Sequence, residues 1–390
     1  MNHIAPAASM DAEFEEQILD SIRKWLDRDV RPHVETLEHD DIYPTEMVEQ
    51  MRELGLFGAT VDPEYGGLGL SATTYARVVQ TVSEVWMSLS GIFNSHLIMA
   101  QIVQRHGTPE QKARYLPKFA SGELRGGLAL TEPDAGTDLQ AIRTRAVKDG
   151  DRYFINGTKT WISNGIQGQC FALLVKTNPE AEPRHKGMSM FIAEKGPGFT
   201  VSKKLEKMGY KGIDSAELIF EDYVLTTDHL VGGVEGKGMQ NALGGLELGR
   251  INIAARSCGI AKRALDESVK YSQIRKTFGK PICEHQAVQL MLGEMATRAE
   301  AAIALTYNAA RAYDRGERVD MEAGMAKYFA SEAAVANSLD AMRIHGGYGY
   351  SKEYPIERLY RDAPLMCIGE GTNEMQRIII AKQLVERNRV

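Results

Sequence analysis

The stretch RYFINGTKTWISNG, residues 152–165, places Asn156-Gly157 between two strand-like runs. An Asn-Gly pair readily takes left-handed backbone, so it is a strong short-range hairpin signal between such runs. Further short apolar runs follow at FALLVKT (171–177), GMSMFIAEK (187–195) and AELIFEDYVL (216–225), rich in branched and aromatic residues and separated by glycine and proline. Together they predict a small antiparallel β domain between about Arg125 and Met239, roughly 110 residues.

The texture on either side is helical. Phe14, Ile18, Ile22 and Leu26 recur every four residues, the spacing of one helix face. In TPEQKARYLPKFASGE (108–123), Thr108 suits an N-cap, Pro109 a first turn, and Glu110 the positive helix start. Beyond Gln240, Met325, Phe329, Ala336, Leu339 and Met342 keep to one face of a long alanine-rich helix. The expected division is a helical domain over 1–124, a β domain over 125–239 and a second helical domain over 240–390. No internal repeat or low-complexity segment interrupts it.

Hydrophobic residues make up 43% and charged residues 25% of the 390, an ordinary globular balance. The net charge of −6 provides no overall basic field for nucleic acid or an anionic membrane. Cys170, Cys258, Cys283 and Cys367 show neither zinc nor disulfide spacing, which fits a reducing compartment. The opening MNHIAPAASMDAEFEEQ lacks a basic n-region and an apolar core, and no apolar run approaches a membrane span. A cytoplasmic protein is expected.

Several motifs have a bland reading beside a functional one. GGVEGKGM (232–239) fails the phosphate-loop pattern because Gly238 stands where Ser or Thr is needed. HGGYGY (345–350) follows a helix, not a strand, so it reads as a helix C-terminus with Gly at C′. His96 and His345 read as core or boundary histidines, and metal chemistry is not expected. LALTEPDAGTD (128–138) offers Thr131, Ala135, Gly136 and Thr137 as a small hydroxyl-bearing loop, and TWISNG (160–165) places Trp161 two residues before Ser163. A planar ligand that stacks and takes edge hydrogen bonds fits both, as does a turn with a core tryptophan. In IRKTFGKPICEHQ (274–286), Arg275 could clamp a diphosphate or end a solvated basic helix. MCIGEGTNEMQR (366–377) sets one carboxylate, Glu370, between two glycines.

In order and spacing, LALTEPDAGTD, WIS, RKTFG, HGGYGYSKEYPIERLYRDA and GEGTNEMQR resemble the acyl-CoA dehydrogenase family, with a likeness running from about Asp11 to Arg389. The resemblance implies an α+β fold: an N-terminal helical domain, a middle antiparallel β barrel or sandwich, and a C-terminal four-helix-bundle-type domain. It also implies FAD, held extended and not in a Rossmann fold. Leu128, Leu130, Thr131, Gly136 and Thr137 would line the isoalloxazine edge, with Thr131 near its pyrimidine ring. Trp161 and Ile162 would lie against the ring system and Ser163 would reach N5. Arg275, Phe278, Gln286, Arg343, Gly346 and Gly347 would come from a neighbouring subunit to hold the adenosine diphosphate end, and Thr372 and Glu374 would touch the cofactor as well. The family suggests a homotetramer built as a dimer of dimers.

Glu370 matches the family's base. It would take the α proton of an acyl-CoA while the β hydride passes to flavin N5, leaving a trans-2-enoyl-CoA, with electrons passed on to an electron-transfer flavoprotein. The thioester oxygen would meet the Glu370 N–H and a ribityl hydroxyl. Some relatives carry the base at the position of Gly249, and glycine cannot serve. Glu247 and Arg250, with Thr137, match positions on the CoA side, and Gly369 and Gly371 let the substrate approach the backbone. Two departures stand out. Arg343 replaces a common glutamine, which changes the contact at the shared flavin site. Gly369 replaces a tyrosine, which widens the pocket for branched or cyclic acyl groups. An acyl-CoA oxidase passing electrons to oxygen and a non-catalytic binding protein are the rival readings. A glutaryl-type enzyme would want a cation for the distal carboxylate, and WMSLSGIFNSHL (86–97) provides only His96.

Overall fold

The computed structural model describes residues 12–389. The targeting-peptide expectation rests largely on residues 1–11, which lie outside the described part. Helix α1 (Ala12–Trp25) runs into a π turn at Leu26–Val30, followed by α2 (Val34–His39), α3 (Thr45–Glu53), α4 (Ala72–Val85), α5 (Met87–His106) and α6 (Pro109–Ala120). Thr108 closes the predicted N-terminus as a capping box with Gln111. Ile22 and Leu26 are buried as the α1 spacing requires, whereas Phe14 stays exposed.

A seven-stranded sheet follows: β1 (Gly126–Ala129), β2 (Arg145–Asp149), β3 (Arg152–Ser163), β4 (Cys170–Lys176), β5 (Met188–Glu194), β6 (Phe199–Lys204) and β7 (Ser215–Thr226). The order β1-β4-β2-β3-β7-β6, with β5 on β4, is mostly antiparallel, but β4 runs parallel to both β1 and β2. The expected purely antiparallel domain is therefore mixed. The hairpin also lies elsewhere than expected. Asp149 pairs with Arg152 across a two-residue turn at Gly150-Asp151, and Asn156-Gly157 lies inside the continuous strand β3. There β7 bulges against the pair, Glu221 and Asp222 standing opposite Asn156, with Asp222 at φ 47° and Gly157 at φ 148°. The Asn156 side chain exchanges hydrogen bonds with Asp222 at 3.0 and 2.9 Å, so its turn-forming chemistry serves a strand irregularity.

The C-terminal part is built around α7 (Gly238–Ile274), 37 residues long, with α8 (Gln286–Asp314) and α9 (Asp320–His345) beside it. The hairpin of β8 (Lys276–Thr277) and β9 (Lys280–Pro281) separates α7 from α8. Helices α10 (Gly347–Tyr350), α11 (Ile356–Ile368) and α12 (Asn373–Arg387) complete the chain. Ala323, Ala326, Ala330, Ala334 and Ala341 form the buried side of α9, whereas Met325, Leu339 and Met342 are half-buried and Phe329 is exposed. Small residues face inward because they let neighbouring helix backbones come close. One apolar core runs from the N-terminal helices into α7–α9, and a second fills the sheet.

The LALTEP loop is held to the sheet by a buried ion pair. Lys159 of β3, fully buried, donates from Nζ to the Leu130 carbonyl (2.9 Å) and to Glu132 Oε1 (2.8 Å). Glu132 also accepts the Arg143 and Thr144 N–H groups at 2.5 and 3.0 Å. Burial opposes its charge, but Lys159 and these donors outweigh burial and hold the carboxyl below its usual range. Lys159→Met should therefore destabilise the protein by about 3–5 kcal/mol, because it strands a buried carboxylate. Chemical denaturation would read this, and adding Glu132→Gln should recover most of the loss.

Candidate active site

Glu370 stands in the turn between α11 and α12 with φ 54°, left-handed backbone that side chains rarely adopt. Such a residue persists only where its surroundings over-determine it. Lys327 of α9, fully buried, supplies that constraint by donating to the Cys367 carbonyl (3.1 Å) and to Asn373 Oδ1 (2.8 Å), one contact on each side of the turn. Thr372 caps α12 through the Met375 N–H. Gly371, at φ 93°, completes the turn.

The Glu370 carboxylate projects into space that Gly249 leaves by having no side chain. A Cβ built on Gly249 would lie 2.1 Å from Glu370 Oε2. Asn94 Nδ2 of α5 donates to Oε1 at 3.1 Å, while Oε2 is buried without a partner. Behind Asn94, the Tyr75 hydroxyl donates to its Oδ1 at 3.1 Å and accepts from Asn252 Nδ2 at 2.9 Å. Burial raises Glu370 above the usual carboxylate range; Arg256, Asn94, Lys327 and Arg250 oppose the shift without cancelling it. A buried carboxylate with one free oxygen and raised basicity is suited to take a proton.

The two motifs of the β domain meet directly. The Thr160 N–H donates to the Thr131 carbonyl at 2.9 Å, and Leu130 is held by Lys159. A second irregularity in β3 falls between Lys159 and Ile162, and Trp161 there has φ 59°. It turns the indole outward, leaving Trp161 59% exposed, so the core-tryptophan reading fails. Ile162 is buried beneath, and Ser163 is half-buried. Leu128 is half-buried, and Gly136 and Thr137 are exposed at the loop. An exposed indole with Thr131 and Ser163 beside it fits a flat, edge-polar ring system.

Arg275, Phe278, Gln286, Arg343, Gly346 and Gly347 form a different region. Phe278 is 97% exposed on the β8–β9 hairpin, and Arg275 and Gln286 are exposed on its two sides. Arg343 is exposed near the end of α9, paired with Asp340 at 3.2 Å, and Gly346 ends that helix at φ 59°. Tyr271 stacks on His345 with centroids 4.2 Å apart, bringing the two helix ends together. Gly249 and Ile274 are 25 residues apart on α7 (274 − 249), about 38 Å along the axis. Within one chain this region therefore lies far along α7 from Gly249 and Glu370. Thr372 is half-buried beside the base, while Glu374 is exposed and paired with Arg377 at 3.0 Å.

Glu247 and Arg250 line a cleft of about 550 Å³ with Arg105, Lys186 and Lys237. Arg105 pairs with Glu247 at 3.3 Å, and Arg250 Nε is buried without a partner. His96 is fully buried, donates from Nε2 to the Phe119 carbonyl (2.9 Å), and is pushed down to about 4 by burial, so it is neutral. It cannot be the cation sought in α5. Among the described residues, Glu38, His39 and Glu357 gather potential metal-ligand atoms, but Arg361 bonds both carboxylates at 2.6 to 2.9 Å. They form a salt-bridge network.

The residues that sequence reasoning missed are Asn94, Tyr75, Asn252, Arg256 and Lys327. A signal existed: Gly249, Asn252 and Arg256, spaced by three and four, share one face of a mostly apolar segment. Because burial lets folded Glu370 keep its proton to higher pH than the unfolded chain does, the neutral form's stability is present below the ordinary carboxylate range. It is lost as pH rises toward the raised value. Glu370→Gln should thus raise the melting temperature more at pH 8 than at pH 5, a difference calorimetry at both pH values would show.

Residues 12–123, 127–223 and 236–385 match the N-terminal, middle and C-terminal domains of acyl-CoA dehydrogenase. An acyl-CoA dehydrogenase of Bacillus subtilis is 42% identical over 93% of this chain and 96% of its own length. The (2S)-methylsuccinyl-CoA dehydrogenase of Cereibacter sphaeroides is 38% identical over 97% of this chain and 71% of its own. A chain in the solved structure described as the electron transferring flavoprotein of Acidaminococcus fermentans superposes with a TM-score of 0.93 at 38% identity, covering 97% of this chain and 99% of that one. With all three domains present in order, the chain belongs to the acyl-CoA dehydrogenase family, flavin-dependent oxidoreductases that act on acyl-CoA.

Proposed function

We propose that this chain oxidises an acyl-CoA thioester between its α and β carbons, with Glu370 as the base. The observation that carries the reading is the Glu370 carboxylate, buried over Gly249 with Oε2 free of any partner. Oε2 takes the α proton. Burial favours the neutral acid so formed, while Asn94 keeps Oε1 in place during the transfer. The Glu370 N–H, in a left-handed turn between two glycines, is the donor for the thioester oxygen as the enolate develops. The pair of electrons forms the trans-2,3 double bond as the β hydride leaves. Bound FAD supplies the two-electron acceptor for that hydride.

Trp161, Ile162 and Ser163, with Leu128, Leu130, Thr131, Gly136 and Thr137, are the residues that hold the isoalloxazine end. Thr372 and Glu374 lie at the neighbouring turn. Arg275, Phe278, Gln286, Arg343, Gly346 and Gly347 hold the adenosine diphosphate end of a partner subunit's cofactor, in a dimer or a dimer of dimers. The length of α7 and the exposure of Phe278 favour that sharing. Arg343, with its long cationic side chain in place of an amide, suits a diphosphate. The CoA moiety occupies the cleft of Glu247 and Arg250, where Arg105, Lys186, Lys237 and Arg250 suit its phosphates. Electrons pass to an electron-transfer flavoprotein, a partner suggested by the description of the superposed Acidaminococcus chain. Four free cysteines, two of them buried, suit a reducing cytoplasm.

A Cβ on Gly369 would meet only the Leu365 carbonyl, at 3.4 Å, so the side of the base is open. Branched or cyclic acyl groups fit that space. Isobutyryl- and cyclohexanecarbonyl-CoA should each rival butyryl-CoA, and Gly369→Tyr should restore a straight-chain preference; a native enzyme confined to straight chains would refute this.

Anaerobic mixing of the yellow holoprotein with acyl-CoAs should bleach the flavin. Glu370→Gln should keep its FAD but bleach about 10²–10⁴-fold more slowly. Gly249→Ala, whose Cβ would displace the carboxylate, should slow bleaching in the same direction. Equal bleaching by native and Gln proteins would remove Glu370 from the role, and turnover with oxygen as sole acceptor would mark an oxidase.

A further inference from the structure

A guanidinium is buried near the base with no carboxylate in ion-pair contact, although the Glu370 charge acts on it through space. Arg256 is 3% exposed. Its Nη1 donates to the Tyr210 hydroxyl at 3.1 Å, its Nη2 reaches the Ser90 carbonyl only at 3.4 Å, and its Nε has no partner. No acidic side chain of the described residues forms an ion pair with it. Buried charges are ordinarily paired, because the cost of leaving water is otherwise uncompensated.

Its placement relates it to the reacting end of the site. On α5, Asn94 holds Glu370 and Ser90 meets Arg256, and these two positions are one helical turn apart, about 6 Å. On α7, Gly249 under the carboxylate and Arg256 share one face. The groups between them are polar: Asn94, Tyr75, Asn252 and Tyr210. An aliphatic tail lying along these groups would leave them facing methylenes, the reverse of a usual hydrocarbon pocket. Tyr210 is itself fixed, with φ 56° and its N–H donated to Asp362 at 2.6 Å, so its hydroxyl is pre-positioned beside the guanidinium.

We propose that the acyl group accepted here carries a second carboxylate, in a short succinyl- or glutaryl-type chain, and that Arg256 binds that carboxylate with the Tyr210 hydroxyl alongside. The substrate class rests on the assignment of Glu370 as base. The oxidation is otherwise the one above: the α proton goes to Glu370, the β hydride to the flavin, and the distal carboxylate is untouched. A four- or five-carbon diacid suits a short span, because the Glu370 and Arg256 charges are near enough to act on each other. A branch on it fits the open space at Gly369.

The test compares the native holoenzyme on methylsuccinyl-CoA and glutaryl-CoA, on their distal methyl esters, and on butyryl-CoA. A site built for the charged group should favour a free acid over its ester by at least about 100-fold in kcat/KM, since the ester leaves Arg256 unpaired. Arg256→Gln should collapse that ratio, chiefly through the KM of the acid, with Arg256→Lys recovering part of it. A native preference for ester or butyryl-CoA overturns the proposal. So does an Arg256→Gln variant that slows acid and ester by the same factor, since Arg256 would then serve only Glu370. If neutral thioesters bleach the flavin and both diacids fail, this proposal alone falls. If no thioester bleaches it, the assignment of Glu370 falls as well.

Discussion

A carboxylate occupying the space of a missing side chain is the constraint on which the rest of the site depends. Glu370 and Gly249 come from elements 121 residues apart (370 − 249), and the contact is so close that a single methyl group at Gly249 would collide with Oε2. Everything nearby serves that placement. Lys327 fixes both sides of the turn, Asn94 orients one oxygen, Tyr75 holds Asn94, and Asn252 holds Tyr75. Burial then provides the chemistry: removing water from the carboxylate raises its proton affinity, while Arg256, Lys327 and Arg250 keep ionisation possible.

The β domain solves a different problem, presenting a flat aromatic surface without losing the sheet. The β3–β7 pair does this with two irregularities. One, a bulge of β7 opposite Asn156, is stapled by Asn156 and Asp222; the other, on β3, turns Trp161 outward while Ile162 remains in the core. The Lys159–Glu132 pair holds the loop that faces the indole. A buried ion pair is a weak source of net stability but a strict one in geometry, because breaking either half is costly. Precision at Leu130 and Thr131 is what it contributes here.

Much of the fold was legible because it is written in local patterns. Thr108, Pro109 and Glu110 announced α6, Gly346 the end of α9, and the apolar runs the strands β4, β5 and β7. The errors have physical causes. Asn156-Gly157 has turn chemistry, but here it lies within a strand paired to β7 on both sides, and the Asn156 side chain bonds the bulged Asp222 of β7. On α9 the large apolar stripe lost the interior to alanines, because close helix approach rewards small side chains. In the site, the motif glycines and Glu370 were readable, whereas Asn94, Lys327 and Arg256 were not, since each acts on a residue far away in sequence.

The sequence by itself determined the helical, β, helical order, the family, the isolation of Glu370 between glycines and the absence of any rival base at Gly249. These follow from residue type, spacing and short-range backbone preference. Only the tertiary structure decided that Gly249 is the space Glu370 fills, that His96 is neutral, that Trp161 faces outward, and that the Arg256 guanidinium of α7 is buried near the base without an ion-pair contact. Burial, proton affinity and charge pairing are properties of what surrounds a group, and those surroundings are assembled from segments that do not adjoin along the chain.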